Sequence, residues 1–409
     1  MNKPQQANGN LKAIGIYIYI FGGSQSIGHL ECGFEINTIL EMTEDMLENN
    51  SYHFVKNYKN NIKVYKPSEW NNESFLNTLR MENYDLFFAN NPCSGLSTIN
   101  KNANVNQPVN NRFFEIFDLI QKISPKVFLI ENAPTLVTIG TPILHKMVKQ
   151  LNNDYNFTII RDYAGNHNVC MKRMRTLIVG WNKKHFKYIP IINMNKQDPI
   201  TINDVLKDLS KDSLNMEFDK DLHMKDLEWI YPLIEQGSSV VRTIIKNYDK
   251  VINKVPDKYI QFINNQKRKL EEGKSLFDKS AWRLKSNYIV PSMTSLAQYI
   301  HPIEDRELYI REYARIMGYP DTFKFYPNEC QCRTIQCLAQ GVPVNFIKYI
   351  SNEIIRCLTK DYNYIDDENI CVNFQNHSKE VGYSYTQNDF YQIFNLVHNI
   401  GEHKFQLQQ

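Results

Sequence analysis

The chain has 409 residues, of which 42% are hydrophobic and 22% charged, and its formal net charge is +3. This length allows a sizeable core and two lobes, whereas the small net charge does not by itself indicate nucleic-acid binding. No apolar run approaches the roughly 18 residues of a membrane span, and the first residues lack the order of a secretory signal. Eight cysteines without a disulfide framework indicate a reducing compartment. We expect the cytoplasm of a prokaryotic or virus-infected cell, or the nucleus of a eukaryotic one.

The first half of the chain alternates strand-like and helix-like segments. Such alternation predicts an α/β fold with a doubly wound, Rossmann-like parallel sheet, in which ligands bind at the carboxyl ends of the strands. In chain order, the predicted elements are a strand at 13–21, a glycine-rich turn at 22–28, a helix starting at 27–32, a strand at 35–41, a helix at 74–81, a strand at 84–89, a helix at 112–123, a strand at 126–130, a helix at 142–151, strands at 157–163 and 176–180, and helices at 308–317 and 344–358.

Changes in this rhythm predict the domain boundaries. From 181 to 282 the sequence is rich in Lys, Asn and Asp and is less periodic, so we predict a smaller inserted lobe there. We predict that 12–180 and 283–358 form the α/β domain and that 359–409 is an acidic extension. Within the lobe, 242–274 carries nine Lys and Arg against four Asp and Glu, which predicts a basic face.

The most informative segment is 91–97, where Cys93 follows the strand predicted at 84–89. Pro92 fixes its own φ and biases Asn91 toward an extended conformation, so the thiol lies on a stiff backbone. Open α/β sheets place their chemistry at this end of a strand. A lone cysteine in such a turn is otherwise a small packing residue, and that alternative stays open on this segment alone.

Other polar residues also follow predicted strands. Glu131 and Asn132 end one strand, and Glu41 ends another, at a point where an acid accepts hydrogen bonds from ribose hydroxyls. The glycine-rich turn at 22–28 would place backbone N–H groups and a helix N-terminus against a nucleoside cofactor. Taken singly, each feature is equally consistent with a solvated strand end or an ordinary turn.

Two arginines precede the last strand of the first half. In an extended segment Arg173 and Arg175 point to the same face, so both guanidinium groups would face one anionic or carbonyl-rich ligand. A solvated strand face is the alternative.

One cluster of cysteines is a candidate for binding a metal ion. Cys330, Cys332 and Cys337 have a spacing that zinc sites use, but no fourth ligand is evident nearby. We therefore predict no metal site.

The order and spacing of these features resemble the cytosine-C5 DNA methyltransferase family, from about residue 14 to 180 and again from 283 to 358. Pro92-Cys93 resembles the family's nucleophile loop, and Glu131-Asn132 its Glu-Asn-Val motif. The remaining matches are Arg173-Met174-Arg175 with the Arg-x-Arg strand, residues 291–294, 301–302 and 311–323 with the penultimate motif block, and residues 340–343 with the final Gly-Asn-Ala-Val-Pro motif.

The resemblance is weakest on the cofactor side. The family's Asp-Leu-Phe-Ala-Gly-x-Gly-Gly turn is poorly matched, and a register with a two-residue deletion pairs Phe21 and Gly23 with its Phe-x-Gly element. The acid that follows the family's third strand has no obvious counterpart in 62–67, and Met171 replaces the Gln before Arg-x-Arg.

The resemblance implies a DNA (cytosine-5-)-methyltransferase that transfers a methyl group from S-adenosylmethionine to C5 of a cytosine flipped out of double-stranded DNA, through a covalent bond from Cys93 to C6. It implies that Glu131 holds or protonates N3, that Arg175 binds the base carbonyl oxygen, and that the lobe at 181–282 recognises the target. The implied catalytic set is Cys93, Glu131, Arg173, Arg175, Pro92 and Asn132, and the implied cofactor contacts are Phe21, Gly23, Gly28, Glu41, Asn91, Pro92, Gln340 and Val342.

Alternatives remain for substrate and activity. The family's tRNA-methylating branch carries a Cys-Phe-Thr signature that is not found in 181–280, and an exocyclic-amine methyltransferase would carry Pro-Tyr where Cys93-Ser94 stands. A catalytically weak DNA-binding relative is the remaining alternative. We expect a monomer, and a cognate restriction endonuclease stays open as a partner.

Overall fold

The computed structural model of the protein describes residues 11–17, 20, 22–44, 52–58, 60–97, 100, 102–209, 224–274, 276, 280–293, 298–326, 331–359, 361–367, 370–377 and 404–408. The chain divides into two compact units. The first comprises Met1–His167, Arg173–Gln197 and Val344–Gln409, and the second comprises Asn168–Lys172 and Asp198–Pro343.

The first unit is built on a nine-stranded sheet with the order β15-β14-β6-β8-β5-β4-β1-β2-β3. Its central strands are continuous apolar runs, as expected for strands that are covered on both faces. Neighbouring strands are parallel, except that β8 runs antiparallel to β5 and β6. The strands are β1 (Lys12–Tyr17), β2 (Glu35–Glu41), β3 (Lys63–Tyr65), β4 (Leu86–Asn90), β5 (Val127–Asn132), β6 (Tyr155–Tyr163), β8 (Met174–Asn182), β14 (Ile370–Asn376) and β15 (Lys404–Gln408), with a separate pair formed by β9 (Ile189–Pro190) and β13 (Tyr364–Ile365).

The longer helices of this unit bury one apolar stripe each. The helix at 112–123, for example, repeats apolar residues at intervals of three and four and buries Phe113, Ile116, Phe117 and Ile120 in the main core. The helices are α1 (Ser24–Glu31), α2 (Tyr52–Tyr58), α3 (Pro67–Trp70), α4 (Glu73–Met81), α5 (Arg112–Ile123), α6 (Thr141–Leu151) and α13 (Val344–Leu358), with 3-10 turns at Pro108–Asn111, Pro134–Val137 and Ala164–His167.

The predicted α/β fold with a doubly wound sheet is confirmed, and most predicted elements lie within two residues of the observed ones. One helix begins earlier than predicted, because Gly23 adopts a left-handed conformation (φ 65°) that starts α1 at Ser24. The predicted strand at 13–21 ends at Tyr17 among the described residues.

The acidic C-terminal segment contributes to the main sheet. β14 pairs in parallel with β6, and its residues Ile370, Val372 and Phe374 are buried. The segment predicted as an extension therefore covers an edge of the sheet, which the sequence did not indicate.

The second unit has a separate core formed by short helices and two-stranded pairs. Arg283 stabilises it from within, because its buried guanidinium donates hydrogen bonds to the carbonyl oxygens of Tyr231, His301 and Glu304 and pairs with Asp305. The elements are β7 (Met171–Lys172), α7 (Ile202–Leu206), a 3-10 helix (Lys225–Leu233), α8 (Val240–Lys246), α9 (Tyr248–Val251), a 3-10 turn (Ile252–Lys254), α10 (Asp257–Glu271), β10 (Trp282–Arg283), β11 (Val290–Pro291), β12 (Tyr299–Ile300), α11 (Ile310–Ile316) and α12 (Gln331–Gln340).

The second unit and the predicted lobe differ in extent. The unit continues to Pro343, whereas the lobe was predicted to end at 282. The target-recognition role of the lobe stays a prediction.

Candidate active site

Four polar residues lie side by side at the carboxyl edge of the sheet. In the strand register, Tyr17 pairs with Glu41 on one side and with Asn90 on the other, and Asn90 pairs with Glu131. Residues paired in this way project to the same face of a sheet. We call Glu41, Tyr17, Asn90 and Glu131 the strand-end row.

Glu131 is almost completely buried, and each of its carboxylate oxygens has a donor. The Nε of Arg175 lies 2.6 Å from Oε1, and the side-chain amide of Asn90 donates to Oε2 at 3.2 Å. Burial raises the pKa of Glu131, although the charges of Arg175 and Arg173 oppose that rise. The site therefore holds an oriented carboxyl group that takes up a proton more readily than an exposed Glu does.

The arginine pair faces an anion, as the sequence predicted, but that anion is a residue of the protein. Arg175 forms its ion pair with Glu131, and Arg173 also acts electrostatically on the same carboxylate. Arg173 is buried and lies between β7 and β8, whereas Arg175 belongs to β8, which begins two residues before it was predicted to. The alternative of a solvated strand face is wrong, because little of either side chain is exposed.

The loop after β4 presents an exposed thiol on a fixed backbone. Cys93 is a free, exposed cysteine. The buried Asn132 donates from its side-chain amide to the carbonyl oxygens of Asn91 and Pro92, both at 3.3 Å. Thr135 bonds the carbonyl oxygen of Leu96 further along the loop. A buried packing role for Cys93 is therefore excluded.

At the other end of the strand-end row, Glu41 is fully buried at the end of β2. Its Oε1 accepts a hydrogen bond from the backbone N–H of Ile20 at 2.7 Å, whereas Oε2 has no hydrogen-bond partner within the described part of the chain. Burial raises the pKa of Glu41 to about 8. A buried oxygen without a partner is costly unless a ligand supplies one, so this oxygen fits a ligand hydroxyl.

Of the two glycines predicted to contact a cofactor, only Gly23 lies at the helix start. A Cβ at Gly23 would lie 2.0 Å from the Phe54 ring, which together with the positive φ requires glycine. A Cβ at Gly28 would lie 2.6 Å from Ile347, so the space beside Gly28 is filled by α13. This observation indicates helix packing at Gly28 and gives no support to a cofactor contact there.

The remaining predicted cofactor residues are spread over the chain. Asn91 is buried, and both polar atoms of its side chain lack a partner among the described residues. Phe21 lies outside the described residues. Gln340 and Val342 belong to the second unit, where Gln340 ends α12 and Val342 is buried, and their cofactor role stays a prediction.

Among the described residues, no group of three potential metal ligands is found. Cys330 lies outside these residues, Cys337 is buried, and Cys332 is disulfide-bonded, which the sequence did not predict. No helix in the described ranges has the length and apolar character needed to cross a membrane.

Sequence reasoning missed two members of the strand-end row. Tyr17 stands in an alternating Ile-Tyr run, and its hydroxyl accepts a hydrogen bond from the backbone N–H of Ser26 at 3.0 Å, in the first turn of α1. The alternation of Ile and Tyr in that run was the sequence pattern from which Tyr17 could have been identified. Asn90 had no local signal, because its partner Glu131 is 41 residues away.

The parallel sheet, its antiparallel strand and the polar residues at its carboxyl edge define a Rossmann-like methyltransferase fold. The chain belongs to the C-5 cytosine-specific DNA methylase family, which matches residues 23–356.

Individual relatives are distant but cover most of the chain. The type II methyltransferase M.FnuDI of Fusobacterium nucleatum is 24% identical in an alignment of 347 positions that covers 82% of this chain and 92% of that protein. Among solved structures, a prophage-encoded E. coli protein with the provisional name of a DNA modification methyltransferase is 20% identical, with a TM-score of 0.58, and the match covers 86% of this chain and 99% of that one. The methyltransferase EhMeth of Entamoeba histolytica is 15% identical, with a TM-score of 0.54 and the same coverage.

Proposed function

We propose that this protein methylates C5 of cytosine in double-stranded DNA, with Cys93 as covalent nucleophile and S-adenosylmethionine as methyl donor. The observation that carries the proposal is the position of Glu131 relative to Cys93. Glu131 is buried on β5 and is held by Arg175, and the exposed Cys93 lies in the loop after the neighbouring strand β4. The acid thus lies at the carboxyl end of β5, and the nucleophile follows β4, the neighbouring parallel strand.

The chemistry needs both groups because cytosine C5 is a poor nucleophile. The Cys93 thiolate forms a bond to C6, and the electron pair displaced from the C5–C6 double bond makes C5 nucleophilic. Glu131 delivers a proton to N3 and so neutralises charge that would accumulate in the ring. Once C5 carries the methyl group it loses its proton to a base, the Sγ–C6 bond breaks to regenerate the thiolate, and N3 returns its proton to the Glu131 carboxylate. Arg175 holds Glu131 in place and stabilises charge near the base. The base must leave the duplex, since its ring carbons are not accessible there.

The cofactor-side residues fit S-adenosylmethionine. When bound, it supplies an electrophilic methyl group for C5. The unpartnered Oε2 of Glu41 would bind a ribose hydroxyl, and the unpartnered side chain of Asn91 offers a donor and an acceptor to the same molecule. Gly23 lets the backbone turn closely at the start of α1. We include Pro92 in this contact set and leave Gly28 out.

DNA binding would involve the basic face at 242–274. Lys246, Arg268 and Lys274 are largely exposed there, so they are accessible to phosphates. We expect binding that weakens as salt concentration rises. A cognate restriction endonuclease and a monomeric state are further parts of the proposal.

Covalent trapping tests the proposal. Duplex DNA in which 5-fluorocytosine replaces cytosine is incubated with S-adenosylmethionine and the protein, and adducts are separated under denaturing conditions. We expect an adduct with the native protein and with Cys32→Ser, a control at another free cysteine, but none with Cys93→Ser. Bisulfite sequencing of plasmid DNA treated with the native protein then identifies the recognised site.

Two results would contradict the proposal. Methyl transfer to tRNA but not to duplex DNA would assign the protein to an RNA substrate. The absence of both adduct and methylation, while DNA binding persists, would indicate a non-catalytic relative.

A further inference from the structure

Asn90 contacts the catalytic carboxyl group directly. It is the last residue of β4, it pairs with Glu131 in the strand register, and its side-chain amide lies 3.2 Å from Glu131 Oε2. Because Arg175 binds the other oxygen, Oε1, the two donors hold the carboxyl group at both ends. A carboxyl group held in this way cannot rotate about its terminal bond without breaking a hydrogen bond.

The two neighbouring strands brace each other's reactive groups. Asn90 on β4 holds the Glu131 side chain of β5, whereas Asn132 on β5 holds the backbone of the Cys93 loop after β4. Glu131 and Asn132 are successive residues of β5, and successive side chains of a strand point to opposite faces. The two contacts are therefore separate.

The donor types decide where an acidic proton can reside. A guanidinium only donates hydrogen bonds and cannot accept one. Since Arg175 occupies Oε1, the proton of neutral Glu131 belongs on Oε2, the oxygen that Asn90 contacts. A protonated carboxyl oxygen keeps a lone pair that accepts a hydrogen bond. The Asn90 amide is therefore able to donate to Oε2 in the carboxylate and in the acid, which leaves the Oε2–H bond of the acid to face the base.

We infer that Asn90 is a positioning residue for proton transfer, because it holds Glu131 Oε2 in both protonation states and directs the acidic proton toward N3 of the base. This inference rests on the proposed function. In the transfer step the Oε2–H bond breaks and an N3–H bond forms, and Asn90 then donates to the carboxylate that results. Asn90 does not touch the reacting atoms of the base in this scheme.

Asn90→Ala and Asn90→Asp test the inference through two different changes at the same contact. Alanine removes the contact, whereas aspartate keeps the shape but places a second carboxyl group beside Oε2, so the two groups compete for one proton. Asn37→Ala is the matched control, because Asn37 also donates to a glutamate, at 2.8 Å, but on an exposed part of β2.

The first measurement is the pH profile of single-turnover methyl transfer with saturating DNA and S-adenosylmethionine. Loss of a hydrogen bond to a charged group should slow transfer about ten- to hundredfold, with DNA affinity changed by less than about twofold because the contact does not position the duplex. The fall in rate at high pH should move to higher pH in both Asn90 variants, since each loses a donor that favours the carboxylate. Asn37→Ala should match the native profile.

The second measurement requires no activity. Carbon-13 NMR of protein labelled at the glutamate carboxyl carbons follows Glu131, with Glu131→Gln identifying its signal. We expect its titration to move to higher pH in Asn90→Ala, and further in Asn90→Asp.

An unchanged titration in folded variants overturns the inference, whatever the activity. A shifted titration in a protein that methylates no DNA supports the contact and rejects the proposed function. A rate that falls only in proportion to the folded fraction also overturns the inference.

Discussion

The proposed reaction side and the proposed cofactor side of the first unit differ in how their polar groups are satisfied. On the reaction side, Glu131 has a donor at each oxygen, and the Cys93 loop is bonded through Asn132. On the cofactor side, Glu41 and Asn91 are buried with polar atoms that lack partners in the described residues. The reaction side is organised in advance, whereas the cofactor side has bonding capacity left for a ligand.

This difference leads to distinct expectations for substitutions. Changes on the reaction side should slow methyl transfer with little effect on cofactor affinity. Changes on the cofactor side should weaken cofactor binding, with the transfer rate at saturating cofactor close to native.

The largest effect is expected for Glu131→Gln. Glutamine keeps the shape but cannot deliver a proton, so single-turnover methyl transfer should fall about 10²- to 10⁴-fold. Isothermal titration with S-adenosylmethionine should show unchanged affinity. A parallel loss of affinity would show that the two sides are not separable.

Arg175→Lys should have the next largest effect. Lysine retains the charge but replaces the planar guanidinium with a flexible ammonium, so we expect a loss of about ten- to hundredfold in transfer rate. The pKa of Glu131 should rise further because its ion pair is weakened. Lys348→Arg is the control, because it makes the reverse exchange in an ion pair with Glu31 that is remote in sequence from this site. It should retain the native rate.

At a pH above the pKa of Glu41, Glu41→Gln should weaken S-adenosylmethionine binding by about tenfold, as expected for loss of a hydrogen bond to a charged group, while the transfer rate at saturating cofactor stays close to native. Since the pKa of Glu41 is about 8, native affinity should increase as pH rises from 6 to 8 if the carboxylate is the binding form. The affinity of Glu41→Gln should not vary over this range. An equal pH dependence in both proteins would contradict the assignment.

The same carboxyl group predicts a trend in stability. Its folded pKa of about 8 lies above the ordinary value of 4.5, so the folded state binds the extra proton between these values. Its contribution to stability is complete below pH 4.5 and is lost as pH rises through 8. Denaturant unfolding should therefore show that native protein loses stability relative to Glu41→Gln over this interval.

Gly28→Ala should have the smallest effect on function. The new methyl group would meet Ile347 on α13, and overpacking of this kind costs about 1–3 kcal/mol. That cost opposes the gain of about 1 kcal/mol that alanine brings to a helix. We expect a lower melting temperature but native cofactor affinity in the folded protein. A selective loss of affinity would instead support the cofactor contact first predicted for Gly28.

The sequence by itself determined the main α/β architecture and the positions of the proposed reactive groups. Buried strands appear as apolar runs, and polar residues such as Cys93 and Glu131 come at the ends of these runs. The local sequence pattern is therefore sufficient to locate both the strands and these residues. The order of these groups along the chain also identified the family before any contact was known.

Only the tertiary structure decided which of these groups meet. Asn90 contacts Glu131, and Tyr17 aligns with Glu41, because neighbouring strands pair in one register. Register depends on turns and core packing far along the chain, which local sequence does not specify. For the same reason, the sequence located Arg175 but not its partner, and it assigned Gly28 to a ligand although α13, more than 300 residues away, occupies that space.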